Sequence, residues 1–199
     1  MHLQSLSFLA THASAGVLAI ALTGTAAWAQ QPAAPKLVPA QSEITFTSKQ
    51  MGVPVEGRFT RFDAQLALDP AHPETGKVSI TVDTGSATLG AKETDAELPK
   101  PVWFNVARFP QATFQSSAIR SPGPNRYEVR GTLAIKGARQ DVTVPVTLAQ
   151  SGATTLATGS FAIKRLAFKI GEDEWADTSM VADEVQVKFK LAFTGLAKP

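Results

Sequence analysis

The sequence contains few side chains that could act as a nucleophile or a general base. Cysteine is absent, and of the three histidines His2 and His12 lie in a stretch, 1–30, without any Lys, Arg, Asp or Glu. The third, His72, lies in the proline-containing segment Asp69–Gly76, and no G-x-S-x-G motif presents a serine nucleophile. His72 is therefore interpreted as a solvent-exposed turn residue. The sequence predicts no catalytic residues and no enzyme.

Binding sites for metals, phosphates and nucleic acids also lack their usual signatures. The acidic cluster Glu172–Glu174 does not have the D-x-[DN]-x-[DN]-G spacing of a calcium loop, so it is interpreted as a solvated loop and no metal site is predicted. The Gly/Ser/Thr-rich segment Thr84–Gly90 precedes no long helix, which argues against a phosphate-binding loop. With 19 basic and 17 acidic residues, the net charge of +2 provides no field for nucleic acid.

The first 29 residues have the pattern of a secretory signal peptide. An apolar run, Ala13–Leu22, is followed by Ala27-Trp28-Ala29, whose small residues suit a cleavage site after Ala29. The Pro/Ala-rich residues 30–36 then predict a flexible tether. The sequence therefore predicts an exported protein with a domain over 37–196 and no membrane span after cleavage.

Alternation of apolar and polar residues dominates the rest of the chain. It is clearest in 127–135, 142–148 and 185–193, where period two indicates strands with one buried face. Further strands are predicted at 43–49, 53–62, 64–68, 77–83, 111–118 and 155–164. Turns are predicted at 69–76, 121–125 and 136–138. The one long interruption, 84–110, carries a helical turn or two at 91–98 before Pro99 and Pro101 end it.

Breaks in the alternation predict where the strands bend. The apolar phase slips between Phe59 and Phe62 and again between Ile163 and Leu166, which predicts a β-bulge in each strand. Pro145 lacks the N–H that a ladder needs, so it predicts a seam or bulge in its strand. Bends of this kind allow a sheet to close into a barrel.

The apolar faces of different strands should meet in one interior. Phenylalanines 46, 59, 114, 161 and 189 lie on the apolar side of five strands. A barrel of about eight strands is either filled by its side chains or leaves room for one small ligand. Alternation alone favours the packed interior over a ligand tunnel.

Several short motifs resemble the YceI-like family of lipid- and polyisoprenoid-binding proteins. They occur in order along the whole predicted domain: Ser42-x-Ile44-x-Phe46, Met51-Gly52-Val53, Gly57-Arg58-Phe59, Thr94–Leu98, Trp103–Val106, Phe109-Pro110-x-Ala112-x-Phe114-x-Ser116, Gly131–Gly137, Lys164–Phe168 and Val185–Val187. The resemblance implies an all-β fold, an extended antiparallel eight-stranded lipocalin-like barrel with a short helical insertion. It also implies a non-enzymatic periplasmic carrier of a long amphiphile, such as an isoprenoid quinone or a polyprenyl lipid. Gln41 and Gln50 stand where many relatives have histidine, which weakens any inference about head-group contacts.

The predicted site is an apolar channel with cations at its mouth. The predicted channel residues are Phe46, Met51, Val55, Phe59, Leu98, Trp103, Phe104, Phe109, Phe114, Leu133, Phe161, Phe168 and Phe189, and the head-group candidates are Arg58, Arg108 and Arg165. No cofactor is predicted apart from the bound lipid itself, and a homodimer is left open. Two alternatives remain: an enzyme that modifies an isoprenoid lipid, and a packed barrel with a structural or stress-protective role.

Overall fold

The computed structural model describes residues 34–196, which form one antiparallel sheet of eleven strands. The strands are β1 (Lys36–Leu37), β2 (Glu43–Gln50), β3 (Val53–Phe59), β4 (Phe62–Ala67), β5 (Lys77–Asp83), β6 (Ala87–Thr88), β7 (Gln111–Gly123), β8 (Arg126–Ile135), β9 (Ala138–Ser151), β10 (Thr154–Lys164) and β11 (Glu184–Thr194). One α-helical turn, α1 (Lys92–Asp95), lies within the predicted helical stretch. Five 3₁₀ turns occupy Pro39–Gln41, Pro73–Thr75, Thr84–Ser86, Arg165–Phe168 and Asp173–Ala176. The predicted signal peptide and residues 30–33 of the predicted tether lie outside the described residues.

The sheet is curled, and its strands follow the order β4-β5-β7-β8-β9-β10-β11-β2-β3-β6. β1 pairs with the end of β11, with Lys36 opposite Thr194, and packs against β4. The all-β antiparallel architecture is therefore confirmed, but the predicted number of eight strands is wrong. Each of the nine segments in which alternation predicts a strand contains one, and the short strands β1 and β6 are additional.

Tight turns explain the hairpins. Met51 and Gly52, with φ of 47° and 81°, join β2 to β3, and Lys136 and Gly137, with φ of 47° and 80°, join β8 to β9. Two successive residues with positive φ match the twist of the flanking strands, which is why such two-residue loops favour hairpins. Asn125, with φ of 58°, lies in the turn between β7 and β8.

The two predicted β-bulges are wrong: a strand break and a 3₁₀ turn stand in their places. Between Phe59 and Phe62 the strand ends and a new one begins, and the bend is held by Ser86, whose Oγ accepts the N–H of Arg61 at 3.0 Å. After Ile163 and Lys164 the chain enters the 3₁₀ turn that starts at Arg165. The register shifts lie instead in β7, between residues 116 and 118 and between 120 and 123.

The predicted seam at Pro145 is present as a fork between β9 and β10. Their ladder runs from Ser151 and Thr154 to Val146 and Gly159 and stops there, one residue before Pro145. Beyond the fork, β9 pairs with β8 alone and β10 with β11 alone. Because proline has no N–H to donate, the ladder between β9 and β10 ends next to Pro145, where the sequence predicts a break.

Candidate functional site: an apolar cavity inside the sheet

A cavity of about 380 Å³ lies inside the curled sheet. That volume is within the range of roughly 300 to 1,000 Å³ found for small-molecule sites. β11 contributes every second residue from Val185 to Phe193, which corresponds to about 27 Å along the strand at roughly 3.4 Å per residue. The cavity is thus long and lined mostly by apolar side chains, and the packed interior favoured by alternation alone is not what the structure shows.

Three glycines explain why large aromatic side chains do not fill this interior. A Cβ atom at Gly57 would lie 2.3 Å from the ring of Phe46, and one at Gly159 would lie 2.5 Å from the ring of Phe189. At Gly131, the ring of Phe114 would lie 2.6 Å from the added atom. Each ring therefore extends over a glycine on the neighbouring strand and lies against the wall. The space along the axis stays open as a result.

Residues 84–110, here called the covering segment, pack over one side of the cavity. Leu98 and Phe104 of this segment are buried in a cluster with side chains from the sheet and from residues 168–170. The ring of Phe104 lies 5.9 Å from that of Phe59, edge to face. Asp95 holds the segment in place because its carboxylate accepts the N–H of Leu89 at 2.6 Å. Apolar packing and one anchored helical turn therefore fix this wall.

Residues 165–183, here called the rim loop, are organised by the buried side chain of Arg165. Its guanidinium donates five hydrogen bonds to backbone carbonyls, at distances of 2.6–3.1 Å, and the acceptors are Ile170, Gly171, Trp175, Val181 and Ala182. Only 2% of Arg165 is exposed. Burial lowers the pKa of Arg165, and the nearby charge of Asp183 opposes that shift. The Arg165 side chain therefore stabilises the backbone conformation of the rim loop.

Lys136 is a second buried cation and joins the two loop regions. Its ammonium group donates to the carbonyl oxygens of Val102 and Lys169 and forms an ion pair with Glu172 at 3.2 Å. Glu172 belongs to the acidic cluster interpreted as a solvated loop, and its side chain is 45% exposed although it pairs with Lys136. The turn between β8 and β9 is thereby tied to both the covering segment and the rim loop.

The polar side chains that line the cavity gather mainly at one end. Ser48 and Gln50 come from the end of β2, and Thr94 and Glu97 come from the covering segment beside it. Gln50 also bridges to Val181 of the rim loop. We call this end the mouth. The deep part is apolar apart from the phenol of Tyr127, whose pKa is raised by burial.

Exposed apolar side chains surround the mouth. Met51, Val53 and Met180 are 73%, 64% and 44% exposed, and they are the exposed large hydrophobic residues of the part of the chain that the structure describes. The N–H of Met51 donates to the carbonyl of Met180 at 2.8 Å, which fixes the hairpin against the rim loop. The apolar surface of the cavity thus continues onto its rim.

The structure brings most of the predicted channel residues together. Those that line the cavity are Phe46, Val55, Phe59, Leu98, Trp103, Phe104, Phe114, Leu133, Phe161 and Phe189. Three others do not line it. Met51 lies in the exposed hairpin turn, Phe109 lies beneath the guanidinium of Arg108 at 5.3 Å, and Phe168 is buried in the cluster behind the cavity wall.

The three head-group candidates do not converge on the cavity. Arg58 is exposed on β3 one residue out of phase with Phe59, and Arg108 is exposed in the covering segment. Arg165 does line the cavity, but all five of its N–H donors are already bound to carbonyls. In this structure none of the three offers a free guanidinium to a ligand inside.

Sequence reasoning missed several lining residues near the mouth. Gln50 and Ser48 are in phase with Phe46 along β2, so period two could have identified them. Glu97 and Trp175 lie in irregular segments, where no periodicity reports which side chains face inward. Trp175 packs against Trp103 with ring centroids 5.5 Å apart.

Long apolar helices and metal-binding clusters are absent from residues 34–196. None of the helices there has the length and apolar composition that a membrane span requires. In the same residues no three His, Asp or Glu side chains come close enough together to hold a metal ion.

Comparisons with known proteins agree with this architecture. A model of the YceI-like domain matches residues 36–193. BcnA of Burkholderia cenocepacia is 48% identical, and its crystal structure superposes with a TM-score of 0.76 over 79% of this chain and 99% of that one. A polyisoprenoid-binding domain from Saccharophagus degradans, implicated in plant cell wall breakdown, is 16% identical and has a TM-score of 0.65 over 82% of this chain and 99% of its own, which shows the fold alone.

Curated relatives match a shorter stretch. A UPF0312 protein of Yersinia pestis is 37% identical over 106 residues, 53% of this chain and 53% of that protein. The chain thus spans about half the length of the curated relatives it matches. The family match, by contrast, extends from the first to the last strand of the sheet. The protein therefore belongs to the family defined by the YceI-like domain.

Proposed function

We propose that this protein is a non-enzymatic carrier that holds the tail of a long-chain isoprenoid or a related amphiphilic lipid in its cavity. The observation that carries the proposal is a long apolar cavity of about 380 Å³ with polar side chains mainly at one end. The binding role named for the Saccharophagus degradans domain of the same fold supports it.

Burial of an apolar tail supplies enough free energy without a dedicated motif. Each buried methylene contributes about 0.8 kcal/mol, so a five-carbon isoprene unit contributes roughly 3–4 kcal/mol before the cost of association. Micromolar affinity corresponds to about 8 kcal/mol. Three isoprene units contribute roughly 9–12 kcal/mol and association costs about 4 kcal/mol or more, so a tail of three or more units is needed for micromolar affinity.

The charges around the cavity favour a neutral head group. Among the described residues that line the cavity, one is basic, Arg165, and its N–H donors are already bound to carbonyl oxygens. Gln50 supplies an amide at the mouth, and Glu97 supplies a carboxylate paired with Lys100 at 2.6 Å. A quinone or an alcohol suits these groups better than a polyprenyl phosphate, whose negative charge would meet no free cation there.

The lipid can be identified directly. Protein purified from its native source should release an isoprenoid or similar lipid into an organic extract, in near-stoichiometric amount by mass spectrometry. A variant with Ala157→Phe, which places a ring inside the cavity, serves as the matched control and should release much less. Equal, trace amounts of lipid from both proteins would contradict the carrier function.

We also propose that the carrier acts in the periplasm. The apolar segment 13–22 and the small residues at 27–29 support export by a cleaved signal peptide. N-terminal sequencing of the exported protein should read from Gln30. A full-length species that stays with inner-membrane vesicles after a carbonate wash would contradict this location.

A further inference from the structure

Gly57 occupies the middle of β3, where a glycine normally weakens a strand. Its backbone is not in the left-handed region, so its conformation does not require glycine. The three atoms nearest to a Cβ atom there would be the ends of two side chains: the Phe46 ring at 2.3 and 2.6 Å and Leu89 Cδ2 at 2.8 Å. The backbone alone therefore gives no reason for a glycine at this position.

The two comparable glycines differ in this respect. A Cβ atom at Gly131 would lie 2.3 Å from the carbonyl oxygen of Gln115, and one at Gly159 would lie 2.4 Å from that of Pro145. Those positions need glycine because a neighbouring backbone approaches too closely for any side chain. Of these three glycines, Gly57 differs because the atoms nearest to an added Cβ belong to side chains and not to a neighbouring backbone.

Both neighbours of Gly57 line the cavity. Phe46 lies directly opposite Gly57 in the ladder between β2 and β3, and its ring lies 5.4 Å from that of Phe59. Leu89 reaches the same place from the covering segment. A methyl group at residue 57 would push Phe46 and Leu89 towards the axis, because residue 57 is in phase with the lining residues Val55 and Phe59 and the added atom would project into the cavity.

We propose that Gly57 is a positioning residue for Phe46 and sets the bore of the cavity, so that a methyl-branched chain fits as well as an unbranched one. This inference rests on the proposed carrier function and adds a determinant of which chains are accepted. Each methyl branch widens a chain's cross-section, and close-packed walls do not yield to an added methyl without a cost.

The test compares two alcohols of fifteen carbons, farnesol and the unbranched 1-pentadecanol, on delipidated protein. Displacement of the neutral fluorescent probe N-phenyl-1-naphthylamine gives the two affinities. The wild type should bind both. Gly57→Ala should bind farnesol about tenfold or more weakly while its affinity for pentadecanol changes by less than about threefold. Adding Phe46→Leu, which shortens the displaced side chain, should restore farnesol binding.

A second variant narrows the cavity at the same place without a substitution in β3. Phe46→Trp enlarges the ring itself and should discriminate against farnesol as Gly57→Ala does, so the inference can be tested even if the alanine variant does not fold. Equal affinity changes for the two alcohols in both variants, or no change at all, would overturn the role of Gly57. Failure of the wild type to bind either alcohol would instead overturn the carrier function, and this inference with it.

Discussion

The guanidinium of Arg165 donates to five carbonyls of the rim loop and is almost completely buried. A side chain with this many backbone partners fixes the shape of a segment that has little regular structure of its own. Lys136 does the same on a smaller scale with the carbonyls of Val102 and Lys169. At the scale of single residues, buried cations therefore hold the loops that wall the cavity.

Replacing Arg165 with methionine should destabilise the protein by about 3 kcal/mol or more, because several buried carbonyls lose their donor at once. Urea denaturation measures this loss. The matched control is Arg58→Met on the exposed face of β3, which should change stability by less than about 0.5 kcal/mol. Similar unfolding midpoints for the two variants would show that the five hydrogen bonds do not organise the loop.

Tyr127 gives the protein a distinctive response to alkaline pH. Its phenol is buried and its pKa lies above the ordinary value near 10, so the folded state holds the proton more tightly than the unfolded state does. The associated stability is fully present below pH 10 and is lost as the pH rises through the folded-state pKa. Because the chain has one tyrosine, tyrosinate absorbance reports this titration alone.

The comparison for this prediction is Tyr127→Phe. Its unfolding free energy should lack the component that the wild type loses above pH 10. If the tyrosinate absorbance of the folded wild type instead rises with an ordinary midpoint, the phenol is not held in an apolar environment.

At the scale of elements, the fork between β9 and β10 is the clearest break in the ladder. Below it the two strands pair over six residue pairs, from Thr154↔Ser151 to Gly159↔Val146. Above it the facing edges of residues 138–145 and 160–164 have no ladder with each other. Unpaired edges open more readily than strands that are paired on both sides.

Hydrogen exchange should reveal this difference. Amides in 139–144 and 160–164 that face the fork should exchange faster than those in 146–151 and 154–159, by at least about tenfold. β11 is the internal standard, since residues 186–190 pair with strands on both sides. Uniform protection along β9 and β10 would mean that the fork is closed by contacts other than a ladder.

Elements differ in how well the sequence could predict them. Tyr127–Ile135 and Val185–Phe193 alternate without a break, and both form strands in the predicted phase. The phase slip after Phe59 predicts a bulge, but a strand that ends and restarts shifts the phase in the same way. Periodicity alone cannot separate these two outcomes, because the difference depends on tertiary contacts such as those of Ser86.

The cavity residues also differ in this way, since those on strands are easier to predict from the sequence than those in loops. Lining residues on strands, such as Phe46 and Phe161, were predicted from their phase, whereas Trp175 and the occupied donors of Arg165 depend on loop conformation. That the cavity is open also depends on pairs across strands, such as Gly159 beneath the Phe189 ring. A sequence shows each partner but not the register that brings the two together.

For the whole molecule, a lipid in the cavity is part of the core. Ligand that binds only the folded state stabilises it by RT ln(1 + [L]/Kd), about 2.7 kcal/mol at a hundredfold excess over Kd. For a chain of this size that corresponds to a rise in Tm of roughly 5–10 °C. Delipidated wild type should therefore melt at a lower temperature, and adding back an isoprenoid alcohol should restore the difference.

Scanning calorimetry provides the measurement, with Ala157→Phe as the control whose Tm should not respond to lipid. If delipidation and lipid addition both leave the wild-type Tm unchanged, the cavity does not take up lipid and the molecule behaves as a barrel stabilised by its own side chains.

The position of β11 also determines when the molecule can finish folding. β11 is the last strand of the sheet to be synthesised, yet it lies between β10 and β2 and pairs with β1 as well. The hydrogen bond from the N–H of Ala192 to the hydroxyl of Ser42 joins residues 150 positions apart. Until β11 leaves the ribosome, β2, β3 and β6 have no ladder to the β10 side of the sheet, because the strand that joins β2 to β10 is missing. Completion of the sheet is therefore a late, single event, and a chain that ends before β11 exposes two unpaired edges to other molecules.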